Sequence, residues 1–370
     1  MKFSVETNEL NEALAVVTKA LSPNVETPIL KGIFVSTFGS ELFLKCSDSS
    51  VQIETLIPAM VEEDGSLVLP GRLTADLVRR MKGQRIEFET GDNNSMKVET
   101  GRSRSSLQYF SAETYPQMDE VRSDITFNIK QNVFRSMIKQ TAFCCAGEDE
   151  GKAILRGVLM EFTEEGELNL VALDGFRLAK RTEKVSVNGE KRNAVVPART
   201  MQDIANILSD TEDEITVTLS ATHITVNMGT TKIKARLLKG EYINYRNILS
   251  KKSTSKVVIN RAELLESLEI ASLFSKETQN NLIKLDFDNE QLKISAKSET
   301  GSINESTPIN LIGSPIEIAF NAKYLLDIIK AIDDDEIALS FNTSVTPCVA
   351  EPVHGDKFYY LVLPVRLMRN

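Results

Sequence analysis

LPGRLTADLVRRMKG (69–83), VPARTMQDIANILSD (196–210) and FNAKYLLDIIKAIDD (320–334) are one pattern written three times. Each opens on an apolar residue: Leu69, Val196 or Phe320. A basic residue stands three positions on (Arg72, Arg199, Lys323) and an aspartate four further (Asp76, Asp203, Asp327). The basic position recurs after 127 and 124 residues. Two more sets keep nearly the same period. FSVETNELNEALAVVTKALS from Phe3, FNIKQNVFRSMIKQTAFCCA from Phe127 and VVINRAELLESLEIASLFS from Val257 align Leu10, Phe134 and Leu264, 124 and 130 residues apart. ELFLKCSD, ELNLVALD and QLKISAKS align Leu42, Leu168 and Leu292, 126 and 124 residues apart. Three independent markers with one period identify a tandem repeat, which predicts domains at 1–123, 124–250 and 251–370. The run Ser250–Lys256 reads as a polar connector.

Each copy carries two helical patterns. Leu10, Ala13, Leu14 and Val17 follow i, i+3, i+4, i+7 spacing, with Thr7 or Asn8 able to cap. Leu73, Leu77 and Met81 mark a second helix behind a short strand, Ser66–Leu69, and a Pro70-Gly71 break. The predicted helices span 7–21, 72–82, 131–146, 198–208, 261–276 and 322–332. Alternating runs such as Glu41–Lys45, Arg85–Thr90, Met96–Thr100, Ile215–Leu219, Ile224–Asn227 and Glu336–Phe341 predict antiparallel strands. The fold class is α+β, with antiparallel sheets and two helices per repeat.

Three like units in one chain suit an arc, and two chains joined end to end close it into six units. Closure satisfies sheet edges that an open arc leaves exposed. The chain is acidic, with net charge −9, yet its predicted helices carry twelve basic against eight acidic residues. Positive helices on an acidic chassis suit a channel for DNA. Arg72, Arg79, Arg80, Lys82, Arg135, Lys139, Arg199 and Lys323 are the helical candidates for phosphate contact. The sequence has no Trp and no aromatic interleaved with these basic residues, which argues against stacking on single-stranded bases. Sequence-independent contact with duplex phosphates is the expected mode.

Enzymatic function is the first rival. Cys144 or Cys145 with His223 would make a nucleophile and base, but both cysteines fall at the end of a predicted helix with no activating helix N-terminus. Asp174 has no carboxylate or histidine in motif relation to it. The four cysteines, Cys46, Cys144, Cys145 and Cys348, contain no CxxC pair, so reduced buried thiols are expected, and neither a metal nor a cofactor. No apolar run approaches the roughly 18 residues that span a bilayer, and residues 1–6 have no signal-peptide character, so a cytoplasmic protein with no membrane partner is expected. A three-repeat scaffold that binds proteins without encircling DNA is the second rival.

Further motifs narrow the choice. MKFSVE (1–6), TPIL (27–30), GRSRSSL (101–107), ALDGFRLA (172–179), YRNIL (245–249) and YYLVLPVRL (359–367), in this order, resemble the bacterial sliding-clamp family, the beta subunit of DNA polymerase III. The resemblance covers the whole chain. It implies a head-to-tail homodimer whose six domains ring duplex DNA with helices lining the hole. It also implies a non-catalytic processivity factor that tethers the replicative polymerase, and that binds the clamp loader and other polymerases and repair proteins through a short peptide carrying Gln and Leu/Phe. The implied peptide cleft comprises Leu155, Leu173, Gly175, Phe176, Arg177, Leu178, Ile243, Asn247, Ile248 and the run Leu361, Val362, Leu363, Pro364, Val365, Arg366 and Leu367. Phe176, Ile248, Leu361, Val362, Leu363 and Val365 would form its floor, Arg177 and Arg366 its rim. The chain departs from the family pattern in lacking proline within Glu241–Tyr245, in having Leu173 where a smaller or polar residue is common, and in running on to Met368-Arg369-Asn370. Ser22–Glu26, the loop before TPIL, has no basic residue, so Lys152 is the remaining loop candidate for DNA. Leu273 and Phe274, opposite the strand of Leu107, are the implied dimer contacts.

Overall fold

The computed structural model describes all residues except 23–24, 119–123, 191, 250–252, 277–280 and 367–370. The expected boundaries at 123 and 250, the first part of the connector, Leu367 and the tail 368–370 lie outside the described residues. The remainder of the connector is not all loop: Ser255 and Lys256 open the strand Ser255–Asn260.

Six α-helices are described, two per repeat: α1 (Thr7–Val17), α2 (Gly71–Arg80), α3 (Gln131–Lys139), α4 (Ala198–Ile207), α5 (Arg261–Ser275) and α6 (Ala322–Ala331). Three expectations about their ends are corrected. Glu6, not Thr7 or Asn8, is the N-cap of α1, and its side chain makes no capping bond. Lys82 lies beyond the end of α2. Helix α3 stops at Lys139 instead of reaching 146, and Ala142–Cys144 forms a separate 3₁₀ turn. At this end the backbone tightens: the Thr141 nitrogen donates to the Ile138 carbonyl, and the Thr141 φ of −127° leaves the helical range. Thr141 Oγ1 donates to the Met137 carbonyl at 2.8 Å, and the Gln140 side chain binds Asp333 and Arg181.

The chain divides into two compact units, Met1–Asn132 with Val187–Glu190 and Asn206–Leu237, and Val133–Ser186 with Lys191–Ala205 and Leu238–Asn370. The first contains a five-stranded and a ten-stranded antiparallel sheet; the second contains a nine-stranded and a four-stranded one. The two large sheets each join strands of successive repeats. In the first unit Val51–Pro58 pairs with Thr231–Arg236, setting Ile53 opposite Ile233. In the second, Arg177–Lys184 pairs with Phe358–Val362, setting Leu178 opposite Leu361. The repeat therefore folds by lending its edge strand to the next copy, and the contacts cluster into two units although the sequence repeats three times.

Burial follows the strand alternation. Ile33, Val35, Leu42, Leu44 and Ile53 form the inner face of the ten-stranded sheet, against which α1 packs. Helix α1 lies on α2, and α5 on α6. Gly157, at the head of Gly157–Phe162, permits a close approach. A Cβ there would stand 2.7 Å from the Val196 carbonyl oxygen and 2.8 Å from both Leu238 Cδ1 and Val195 Cγ1. Gly157→Ala is therefore expected to cost about 1–3 kcal/mol by overpacking. Urea denaturation should show a lowered midpoint, and an unchanged midpoint would contradict this packing.

Candidate functional site

The second unit carries an apolar cluster assembled from six elements. Ile154 and Leu155 come from a 3₁₀ turn, Leu159, Val171, Leu173 and Leu178 from three adjacent strands, Val195 from a fourth, and Leu361 from the last strand. Ala146 and Tyr245 complete it, and Leu238, Tyr242, Ile243, Leu249 and Tyr359 pack against its margin. Leu155, Leu173, Leu178, Leu361 and Val362 are buried, so they support the surface instead of forming it. Of the candidate cleft residues, Phe176 (51%), Ile248 (38%) and Leu363 (38%) are the exposed large apolar groups, and Leu363 is bonded through its backbone to Phe176. Asn247 and Arg366 are exposed, and Pro364 and Val365 partly so. The last strand ends at Val362, just before Pro364, and Leu363 and Val365 donate from their backbone nitrogens to the carbonyls of Phe176 and Ala319.

The turn Asp174-Gly175-Phe176-Arg177 holds the Phe176 ring out. Asp174 Oδ1 accepts from the backbone nitrogens of Phe176 (2.9 Å) and Arg177 (3.0 Å), an Asx-type turn. Gly175 sits at φ +93°, a conformation that a side chain resists. The ring of Phe176 stacks on Tyr324 of α6, with centroids 5.7 Å apart.

Arg177 does not rim the cleft. It is 8% exposed, and its guanidinium binds Asp174 at 2.9 Å, Asp327 at 2.6 Å and the Phe143 carbonyl at 3.1 Å. It also lies over Tyr324, 4.6 Å from the ring centroid. Burial works against its charge, but the hydrogen bonds to Asp327 and Asp174 together with the nearby negative charge raise its pKa above the usual arginine value. A buried cation so fully paired fixes the backbone that presents Phe176. Sequence reasoning missed Tyr324, Tyr242, Leu249 and the role of Asp327. Asp327 carried a signal, since it is the third copy of the repeated aspartate.

Burial disfavours the thiolate form of both rival nucleophiles. Cys144 is fully buried, and burial raises its thiol pKa well above the ordinary value. Burial likewise pushes the Cys145 thiol up to about 12. Neither favours the thiolate that nucleophilic catalysis requires. His223 Nδ1 lies 2.8 Å from the hydroxyl of its neighbour Thr222. Asp174 is engaged by Arg177 and the turn. Among the described residues no group of His, Cys, Asp and Glu could hold a metal ion, and no helix is long and apolar enough to cross a membrane.

The basic candidates are mostly exposed. Arg72, Arg80, Lys82, Lys139, Lys152 and Lys323 face solvent, whereas Arg135 is partly buried. Arg79 pairs with Asp76 at 2.5 Å, and Arg199 lies 4.0 Å from Asp203. Leu273 on α5 is 63% exposed, and Phe274 lies against Gly301. Leu107, by contrast, is 5% exposed and faces its own core, so only its backbone edge is available to another chain.

Comparison with known proteins agrees with these features. Models for the DNA polymerase III beta subunit match along the chain: the N-terminal domain at residues 1–119, the central domain at 128–244 and the C-terminal domain at 246–366. The chain is 30% identical over 380 residues to the beta sliding clamp of Staphylococcus epidermidis, covering 99% of each. It is 30% identical over 376 residues to that of Staphylococcus aureus, again covering 99% of each. The crystal structure of the DNA polymerase sliding clamp from Bacillus subtilis superposes with a TM-score of 0.94 at 27% identity, covering 99% of both chains. The chain belongs to the DNA polymerase III beta subunit family, the bacterial beta sliding clamps.

Proposed function

We propose that this sliding clamp works as a ring of two copies joined head to tail, in which domains 1–123, 124–250 and 251–370 occur twice around duplex DNA. The observation that carries the reading is the seam pairing. Thr55 lies opposite Thr231, and Arg181, which stands where Thr55 does in the next repeat, lies opposite Phe358. The third member of the first series is Glu305, in the strand Ser302–Pro308; the first member of the second is Ser103, in Ser103–Gln108. Both strands are outer edges of their sheets. The same register in a third seam sets Ser103 opposite Glu305 and Leu107 opposite Gly301 of a second copy. Leu273 and Phe274 then cover that junction. Outer edges of this length invite pairing, and head-to-tail pairing of two copies would join each of these two strands to the other.

The ring carries no catalytic centre in this reading, in keeping with its buried, high-pKa thiols. Arg72, Arg79, Arg80, Lys82, Arg135, Lys139, Lys152, Arg199 and Lys323 offer positive charge to phosphates without reading bases. Phe176, Ile248 and Leu363, over the buried Leu155, Leu173, Leu178, Leu361 and Val362, receive a short apolar peptide. Gly175 and Arg177 position the turn, and Ile243, Asn247, Pro364, Val365 and Arg366 border the site; Leu367 belongs to the same segment. The peptide comes from the replicative polymerase, the clamp loader or repair proteins, and the setting is the bacterial cytoplasm.

Leu273→Asp is expected to convert the dimer to a folded monomer in analytical ultracentrifugation at micromolar concentration. A dimer that persists would contradict the proposed junction. Phe176→Ala should weaken a labelled Gln-and-Leu-Phe peptide roughly tenfold or more in fluorescence anisotropy, as for a central aromatic anchor. Binding within twofold of the unaltered protein would remove Phe176 from the cleft. Replacing Arg72, Arg199 and Lys323 by Ala should shallow the slope of log affinity for a short duplex against log salt, by about 0.9 for each phosphate that is no longer neutralised. An unchanged slope would place DNA elsewhere.

A further inference from the structure

The segment that walls the proposed peptide cleft has little regular structure of its own. Between Arg236 and Ser255 there is one 3₁₀ turn, Tyr245–Asn247, and no strand among the described residues. Yet this segment presents Ile243, Asn247 and Ile248, and it has no proline within Glu241–Tyr245 to stiffen it. Its side chains Tyr242, Ile243, Tyr245 and Leu249 pack on the apolar cluster below, and one buried polar anchor is added to that packing.

The anchor is Glu161, on the strand Gly157–Phe162. Its carboxylate is 5% exposed. One oxygen, Oε2, accepts from the Tyr245 hydroxyl at 2.5 Å, and the other, Oε1, meets the Arg246 guanidinium at 2.9 Å. Two successive residues of the wall thus bind the two oxygens of one buried group. The carboxylate is itself oriented from behind: Asn169 Nδ2 donates to it at 3.3 Å, and Thr182 Oγ1 donates to Asn169 Oδ1 at 2.7 Å. This chain of bonds crosses three neighbouring strands of the nine-stranded sheet. Burial, with the adjacent carboxylate, raises the Tyr245 pKa, so the phenol stays protonated and able to donate. A buried carboxylate is costly unless every lone pair is used, and this one spends its bonds on the cleft wall.

We propose that Glu161 is a positioning residue for partner recognition: it does not touch the peptide but fixes the wall that presents Ile243, Asn247 and Ile248. The inference rests on the cleft reading above. Arg246 is 59% exposed, so its ion pair is screened and contributes less than the buried Tyr245 bond. Glu161→Gln keeps an acceptor for Tyr245 but loses the charge facing Arg246; Glu161→Ala loses both.

The test measures two quantities on the intact protein. One is anisotropy of a labelled peptide carrying Gln and Leu-Phe; the other is amide hydrogen exchange. Glu161→Ala should weaken the peptide roughly tenfold and Glu161→Gln about threefold, with Tyr245→Phe close to the alanine variant. Exchange should speed within 241–249 and stay slow in the strand Glu167–Leu173. Peptide affinity within twofold of the unaltered protein despite faster exchange in 241–249 would overturn the inference. So would exchange accelerated equally in the strand, since Glu161 would then be an ordinary stabilising group. Failure of the unaltered protein to bind the peptide would sink the cleft reading and this inference with it, whereas the other two failures leave the cleft standing.

Discussion

The structure depends on one constraint: an antiparallel sheet has edges, and an edge with free N–H and C=O groups must find a partner or a defence. Here each repeat gives its edge to the next. The pairing of Val51–Pro58 with Thr231–Arg236, and of Arg177–Lys184 with Phe358–Val362, turns short sheets into long ones. It also explains why contacts gather into two units while the sequence counts three. The same rule leaves Ser103–Gln108 and Ser302–Pro308 as outer strands of their sheets, and in the proposed ring a second copy pairs with both.

The second seam does more than join repeats. It brings Leu361 beside Leu178, and it delivers Leu363 to the Phe176 carbonyl. The exposed apolar groups therefore stand on a floor built jointly by two repeats. The first seam does not reproduce this surface. Lys45, which occupies the position of Val171, is 6% exposed, and its ammonium lies 4.7 Å from the Phe34 ring centroid and 5.4 Å from that of Tyr115. A cation held by aromatic faces replaces an aliphatic contact, so the first seam does not repeat the apolar core found under the second.

Much of this was legible in the sequence, because tandem copies amplify weak periodic signals. Helices α1, α2, α4, α5 and α6 fall close to their predicted spans, since each pairs an apolar stripe with a recurring start. The overlong prediction for α3 failed where the backbone leaves the helical range at Thr141, which periodicity does not register. Phe176, Ile248 and Leu363 were found through motif resemblance and stand exposed. The motif resemblance puts Arg177 on the rim, but the side chain is buried. Its burial depends on Asp327, 150 residues away, and no local pattern links the two. Glu161 escaped for the same reason: a lone acidic residue in an apolar strand reads as a surface position until Tyr245 and Arg246 arrive above it.

The central claim is topological, so the direct test is topological. The clamp would be loaded by its cognate loader onto nicked circular DNA, the salt raised to screen phosphate contacts, and retention followed before and after the circle is cut to a linear form. The account predicts retention on the circle and loss from the linear DNA. Equal loss from both, with loading shown to be complete, would mean that the protein binds by charge alone and does not encircle.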